Sequence, residues 1–378
     1  MNKPGLTRRR WLQMTSSLSA LGVGSGLVPM QTRAQQNLPM VSAARPPEPP
    51  LRFPQDEGSH LDSRIEWWSL KGVLQVGAQQ TLGFHMAYFR TAVESAEQNP
   101  SRFAPRHVIG ARASLSDPRH GVEWHDQRMA RVGFGLAEVN ERDMQVTLHD
   151  WQLARSGPVG HGAYAGRVLA PDFMLDLRCT PTQAAILHGE RGTIHRDPFL
   201  GYPTRYYSQP QLTVAGRVSF ERRTVEVTGR AWLDHGWGRR MMAPDAVGAD
   251  WVCMNLHDGA ALMVFRMRRT DGSTVWEGAT LRQPGRPDRV FKHEEIRMTP
   301  GQTWRSPATG AQYPVAWRLD LAGTTYTVKA CMNQQEVDGG NGIGDAYWEG
   351  LSELLDAQGR VIGSGYLEMT GYAGELIW

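Results

Sequence analysis

From about residue 51 onward, apolar and polar residues alternate with a period of two in short runs. Examples are EWWSLKGVLQV from Glu66, TLGFHMAYFR from Thr81, FMLDLRC from Phe173 and QLTVAGRVSFERRTVEVTGRAWL from Gln211. DWVCMNL, ALMVFRMRRTDG, VAWRLDLAGTTYTVKACM and VIGSGYLEMTGY continue the pattern towards the C-terminus. Such alternation predicts strands with one face turned to a core. Turn chemistry separates the runs, as in Leu256-His257-Asp258-Gly259 and Arg269-Thr270-Asp271-Gly272. Long runs of helical periodicity are hard to find. The pattern predicts an all-β protein of closed or nearly closed antiparallel barrels with little helix. A barrel of about eight strands has room for one small apolar ligand. The stretch RDPFLGYPTRYYSQPQL, Arg196 to Leu212, lacks clean alternation and carries three prolines. It is predicted to be a long excursion that lines or lids a cavity.

The N-terminal region departs from this pattern. Thr7-Arg8-Arg9-Arg10-Trp11-Leu12-Gln13 is a twin-arginine motif, followed by a Ser/Gly/Ala-rich apolar stretch and by Thr32-Arg33-Ala34 as a cleavage site. Residues 1–34 are expected to be a Tat signal peptide. The stretch is too short and too rich in Ser and Gly to predict a membrane span. Residues 35–50 are expected to be a proline-rich leader. The signal holds five of the 41 basic residues and no acid, so the remainder has 36 against 38 acids and a net charge of −2 instead of +3. Nucleic acid and anionic membrane surfaces lose their electrostatic basis as partners. The remaining 344 residues suggest two domains, expected at 51–240 and 241–378. Three widely spaced cysteines, Cys179, Cys253 and Cys331, allow one disulfide or buried free thiols.

Four constellations carry candidate chemistry. The first runs from Phe53-Pro54-Gln55-Asp56-Glu57-Gly58-Ser59-His60 into Glu66-Trp67-Trp68, where the pleat puts Glu66 and Trp68 on one face and Trp67 on the other. The second is Asp234-His235-Gly236-Trp237, the third Asp250-Trp251, and the fourth Tyr347-Trp348-Glu349-Gly350. A histidine near a carboxylate is suited to proton transfer near neutral pH. A tryptophan in a barrel strand is equally at home in the core, its indole N–H bonded to a neighbouring acceptor. The spacing of His60, His85 and His235 follows no known metal-ligand pattern, so no metal and no cofactor are expected. The chain has no Gly-x-Ser-x-Gly elbow, no Gly-x-Gly-x-x-Gly and no Walker loop.

Taken in order, FPQDEGSHLDSRIEWWSLKG, GFHMAYFR, YYSQPQLTVAG, AWLDHGWG, GADWVCMNLHDG, YWEG and GYLEMTGY resemble the hydroxyneurosporene synthase (carotenoid 1,2-hydratase) family, which includes the AttH-type secreted hydrolases. The resemblance spans roughly residues 51–378 and implies two tandem lipocalin-like barrels with an apolar ligand cavity. It also implies a long, unsaturated or lipid-like ligand. The chain differs from the family pattern at Glu57, Ser69, Arg112 and Gly236, four positions of changed polarity.

Two readings follow. In the first, Asp234 and His235 are a proton-handling pair and Glu66 a second acid, in an exported enzyme that hydrates, isomerises or hydrolyses an apolar substrate. Adding water to an alkene needs a carboxyl kept protonated by an apolar pocket. It also needs aromatic faces that stabilise a cation by about 1–2 kcal/mol each. Trp67, Trp68, Trp237 and Trp251 are the expected aromatic wall, with His85, Tyr206, Tyr207, Asp250, Tyr347, Trp348 and Glu349 as further ligand contacts. In the second reading the protein is a non-catalytic periplasmic carrier of a lipophilic molecule, associated with the membrane or a transport system. Both require passage through the Tat translocase to the periplasm or beyond. Replacing Arg8 and Arg9 together by lysine should keep the protein out of the periplasm, as read by fractionation; full export of that variant would refute the signal assignment.

Overall fold

The computed structural model of the chain describes residues 48–195, 203–337 and 346–374. The expected signal peptide and nearly all of the leader lie outside the described residues. A first antiparallel sheet begins with β1 (Ile65–Val76), β2 (Gln80–Ala92), β3 (His107–Asp117), β4 (Val122–Arg131), β5 (Ala137–Val139) and β6 (Gln145–Leu148). It continues with β7 (Trp151–Ser156), β8 (Ala163–Leu169), β9 (Phe173–Thr180), β10 (Ile186–Leu187) and β11 (Thr193–Ile194). The long strands β12 (Thr204–Phe220) and β13 (Arg223–Gly238) complete it. The strand order is β4-β3-β2-β1-β13-β12-β9-β8-β7-β6-β5, with β10 and β11 on β12. Because β4 returns to β6, the sheet curls into a nearly closed barrel.

The second sheet begins with β14 (Gly248–Leu256), β15 (Ala261–Arg268), β16 (Thr274–Arg282), β17 (Arg289–Phe291) and β18 (Ile296–Pro300). A small separate hairpin follows, β19 (Thr303–Arg305) and β20 (Gln312–Pro314). The sheet resumes with β21 (Ala316–Leu321), β22 (Thr324–Ala330), β23 (Glu336–Val337), β24 (Tyr347–Leu355) and β25 (Val361–Met369). Its order, β17-β16-β15-β14-β25-β24-β22-β21-β18, forms a second nearly closed barrel. Among the described residues α-helix is confined to Glu94–Glu97. The protein is all-β, as the alternation predicts.

Each barrel is filled from its own inward face. Trp68, Leu70, Phe84, Met86 and Leu115 pack in the first, and Val252, Met254, Val264, Trp317 and Leu319 in the second. A third cluster lies outside both barrels, where β1, β12 and β13 meet β14 and β15; it contains Trp67, Tyr206, Trp232, Trp251, Cys253 and Phe265. The two sets come from alternate positions of the same strands. Burying each such side chain contributes roughly 1.5–3 kcal/mol. Strands covered on both faces lose the polar half of their alternation, which explains the one misread segment. Thr204–Leu212 is part of β12 and paired with β13, not an excursion. Its proline, Pro210, falls where the register shifts between Gln209 and Leu212, so no ladder bond is lost to it. Residues 196–202 of that stretch lie outside the described residues. Cys179, Cys253 and Cys331 are all free thiols, the first two buried.

Charge also joins the barrels. Lys71 on β1 is buried with its Nζ 2.9 Å from Asp234 Oδ2 on β13, and it pairs with Glu368 on β25. His85 Nε2 on β2 lies 2.8 Å from Glu349 Oε1 on β24. Removing one partner of a buried pair strands the others without compensation. Lys71→Met should therefore destabilise the protein by about 3–5 kcal/mol in denaturant unfolding. A loss of only about 1 kcal/mol, the range of an exposed pair, would show that Lys71 does not hold the barrels together.

Candidate functional site

Glu66 enters the first barrel from β1, directly opposite Arg90 on β2 and Trp237 on β13. The turn before β1 folds Ser59 and His60 over it. Ser59 Oγ donates to Glu66 Oε2 at 2.7 Å, the His60 amide donates to both oxygens at 3.0 Å, and Arg90 Nε donates to Oε2 at 2.9 Å. Arg90 also donates to the carbonyls of His60 and Ser63, pinning that turn to the barrel. Two imidazoles converge on the other oxygen: His60 Nδ1 at 2.9 Å and His235 Nε2 at 3.1 Å from Oε1. Burial alone would raise the Glu66 pKa. The hydrogen bonds from His235 and His60 and the charge of Arg90 outweigh that and hold its carboxyl well below the usual carboxylate range.

Glu57, just upstream in the same turn, sits in the opposite environment. The Tyr164 hydroxyl donates to its Oε1 at 2.9 Å and the Tyr207 hydroxyl to its Oε2 at 2.7 Å. Neither partner is charged, and burial pushes Glu57 up to about 6. The Tyr207 hydroxyl oxygen is in turn 3.2 Å from His235 Nδ1. Burial lowers His235 to about 4, the bond to Glu66 countering only part of that. The far end of the chain is His60, whose Nε2 lies 3.1 Å from Asp56 Oδ1. These two side chains keep 18% and 20% of their surface exposed, whereas Glu66 and His235 keep none. A continuous chain thus runs Glu57–Tyr207–His235–Glu66–His60–Asp56, from the barrel interior to its mouth. Trp237 stacks on His60 with 3.6 Å between centroids, and Trp68 on His235 with 4.9 Å, fixing both rings. A cavity of about 610 Å³ opens nearby, lined by Leu61, Arg64, His107 and Arg240 among others. His107 Nδ1 is 3.1 Å from Arg90 Nη1, which connects the cavity wall to the Glu66 cluster.

The residues expected from sequence divide among three places. Glu66, Trp68, Tyr207, His235 and Trp237 meet in the first barrel. Asp234 does not join them: it follows Trp232 on the outward face of β13, and the pleat points it away from His235. Its Oδ1 accepts from the Tyr206 hydroxyl at 2.6 Å, Ser208 Oγ at 2.5 Å and Trp232 Nε1 at 2.8 Å. Burial opposes ionisation there, but Lys71 and these donors lower its pKa, so Asp234 is a fixed anion between the barrels. Trp67, Trp251 and Tyr206 lie in the same contact, Trp67 edge-on to Trp251 at 6.5 Å. His85 and Glu349 face each other across it, and Tyr347 lies under the Arg112 guanidinium at 4.4 Å. Asp250 and Trp348 belong to the second barrel. Asp250 accepts from Arg266 Nε at 3.2 Å and the Tyr372 hydroxyl at 2.8 Å, and the Trp348 indole donates to the Asn333 carbonyl at 2.7 Å.

The two barrels repeat one device. Each opens with an acid followed by tryptophan, Glu66-Trp67 and Asp250-Trp251, the acid opposite an arginine on the next strand and the tryptophan turned outward. Only the first barrel adds the imidazoles. Among the residues that complete its chain, Glu57, His60 and Asp56 lie in a motif the sequence singles out, but their roles depend on how the turn folds back. Arg90 carried a usable signal: it shares the inward face of Phe84, Met86 and Tyr88, and an inward charge needs a buried partner. Tyr164 carried none.

A family model described as AttH-like matches residues 44–372. The crystal structure of a protein assigned to AttH from Nitrosomonas europaea is similar to this chain with a TM-score of 0.80 at 39% identity, covering 86% of this chain and 98% of that one. The crystal structure of kievitone hydratase from Nectria haematococca is similar at a TM-score of 0.67 and 14% identity, covering 85% and 93% of the two chains. That of CghA with Sch210972 gives 0.51 and 11%, covering 83% and 89%. At these identities the last two likenesses speak to the fold alone. No curated protein sequence matches.

Glu57 makes a pH-dependent contribution to stability. Its folded pKa of about 6 lies above the ordinary 4.5, so protonation favours the fold. The contribution is complete below about pH 4.5 and is lost as pH rises through about 6, roughly 2 kcal/mol in all. Denaturant unfolding of wild type and Glu57→Gln between pH 4 and 8 should show this slope only in the wild type. Parallel profiles would mean that Glu57 is not held as described.

Proposed function

The chain belongs to the AttH-like family, and from that premise we propose that it is an acid–base enzyme of the hydratase or hydrolase type that acts on a lipophilic, unsaturated substrate at the mouth of its first barrel. The observation that carries this reading is the pair of buried carboxyls, Glu57 and Glu66, which their surroundings push in opposite directions and which Tyr207 and His235 connect. Such divergent pairs are suited to separate acid and base roles. Glu57 stores a proton near neutral pH. When it releases that proton, the Tyr207 hydroxyl takes it and passes its own to His235 Nδ1, and His235 gives up the proton on Nε2. One proton therefore leaves at the His235–His60 edge for each one lost by Glu57. In a hydration the substrate alkene takes it, the indole of Trp237 at the mouth flanks the cation, and water adds and returns a proton to the chain.

The substrate class comes from the resemblance to carotenoid 1,2-hydratases. The inward residues of the first barrel already fill its interior, which favours the mouth over the lumen as the place of binding. Export to the periplasm through the twin-arginine motif belongs to the same reading.

The test uses the mature chain with acyclic isoprenoid polyenes in detergent and isotope-labelled water, followed by mass spectrometry. The expected product is one water heavier and carries the labelled oxygen. Glu57→Gln and His235→Gln should each lower its rate by about 10²–10⁴-fold while the melting curves show folded protein. Polyene binding with no product, or unaltered turnover in folded Glu57→Gln, would overturn the reading; the first outcome would leave a carrier protein.

A further inference from the structure

Two histidines and one carboxylate in the first barrel form a better-defined group than proton transfer requires. His60 Nδ1, His235 Nε2 and a Glu66 oxygen all lie within 4.8 Å of one another. The remaining polar atom of each has a partner that fixes its orientation. His60 Nε2 faces the Asp56 carboxylate at 3.1 Å, so that nitrogen carries the proton. When Glu57 is ionised the Tyr207 hydroxyl gives its hydrogen to it, so His235 Nδ1 at 3.2 Å is the donor to the Tyr207 oxygen. In that state, and once His60 Nδ1 gives up the proton it donates to Glu66, both imidazoles turn a lone pair towards Glu66 Oε1, at 2.9 and 3.1 Å. Three acceptors that face one another repel unless something positive lies among them. Glu66 Oε2 is not free to turn, because Ser59, the His60 amide and Arg90 hold it.

We propose that His60, His235 and Glu66 form a binding site for a divalent transition-metal cation of the zinc type. Two imidazoles and one carboxylate with a position left open are the donor set of catalytic zinc sites. The outer partners match as well, since histidines that bind metal characteristically donate their other N–H to a carboxylate or a hydroxyl oxygen. Zinc bonds of about 2.0–2.1 Å need each imidazole nitrogen slightly further from Glu66 Oε1 than the 2.9 and 3.1 Å at which it lies, a shift of a few tenths of an ångström for the partly exposed His60. Asp56 and Glu66 bring two negative charges to the site, against Arg90 bonded to Glu66 and Arg205, which acts on Asp56 through charge alone. The partial exposure of His60 and Asp56 provides the entry path. A cation here would activate water at the barrel mouth. The site stands whether or not a polyene is the substrate.

The mature chain, stripped with a chelator, is titrated with Zn²⁺ by calorimetry and separately with Co²⁺ by visible absorption. One ion per chain is expected, with a higher melting temperature and a cobalt spectrum of low coordination number. Asp56→Asn should weaken binding by roughly 10- to 100-fold and His60→Gln by more, whereas the exposed His120→Gln should change nothing. If His60→Gln does not fold, Asp56→Asn decides. Failure to bind either ion, or binding unchanged in Asp56→Asn and in any His60→Gln protein that folds, would overturn the proposal and leave two protons in the cation's place.

Discussion

Two-sided burial of the strands shared by the barrels is the constraint from which the rest of the architecture follows. β14 is buried at every position, and β1 along its first two turns of pleat and beyond. On such strands each residue faces one of two interiors, and adjacent residues never face the same one. Trp68, Leu70 and His235 fill the first barrel, while Trp67, Lys71 and Asp234 meet the second. The register then decides the chemistry, because a slip of one residue would exchange the two sets.

Charges placed inside such a structure must be compensated locally, and the way each one is compensated separates structural acids from reactive ones. Glu66, Asp234 and Asp250 each have a cation within reach together with hydroxyl, imidazole or indole donors. Glu57 has only two phenol hydroxyls. Removing the partner of any of the first three would leave a buried uncompensated charge, a loss of several kcal/mol. Glu57 can instead change protonation at little cost, which is the property an acid–base group needs. The repeated acid–tryptophan opening of both barrels has the same logic: in the second barrel Asp250 is satisfied by arginines and Tyr372 and has no imidazole beside it, so that copy remains a scaffold.

The barrels and the scarcity of helix were legible in the chain, because period-two alternation is a local consequence of one buried face. Glu66 and Trp68 on one side of β1 and Trp67 on the other followed from that alone. The same rule, applied to Asp234 and His235, already separates them, although their adjacency suggests a pair. The first half of β12 was not legible, because burial on both faces erased the alternation that marks a strand and Pro210 suggested a break. What the sequence could not contain is which distant residues would meet. Glu57 is 150 residues from the Tyr207 hydroxyl it binds, and Glu66 is 169 from His235. Alternation determines which side of a strand a residue occupies; only the closure of the barrel and the turn that carries Asp56 to His60 over its mouth decide what faces it there.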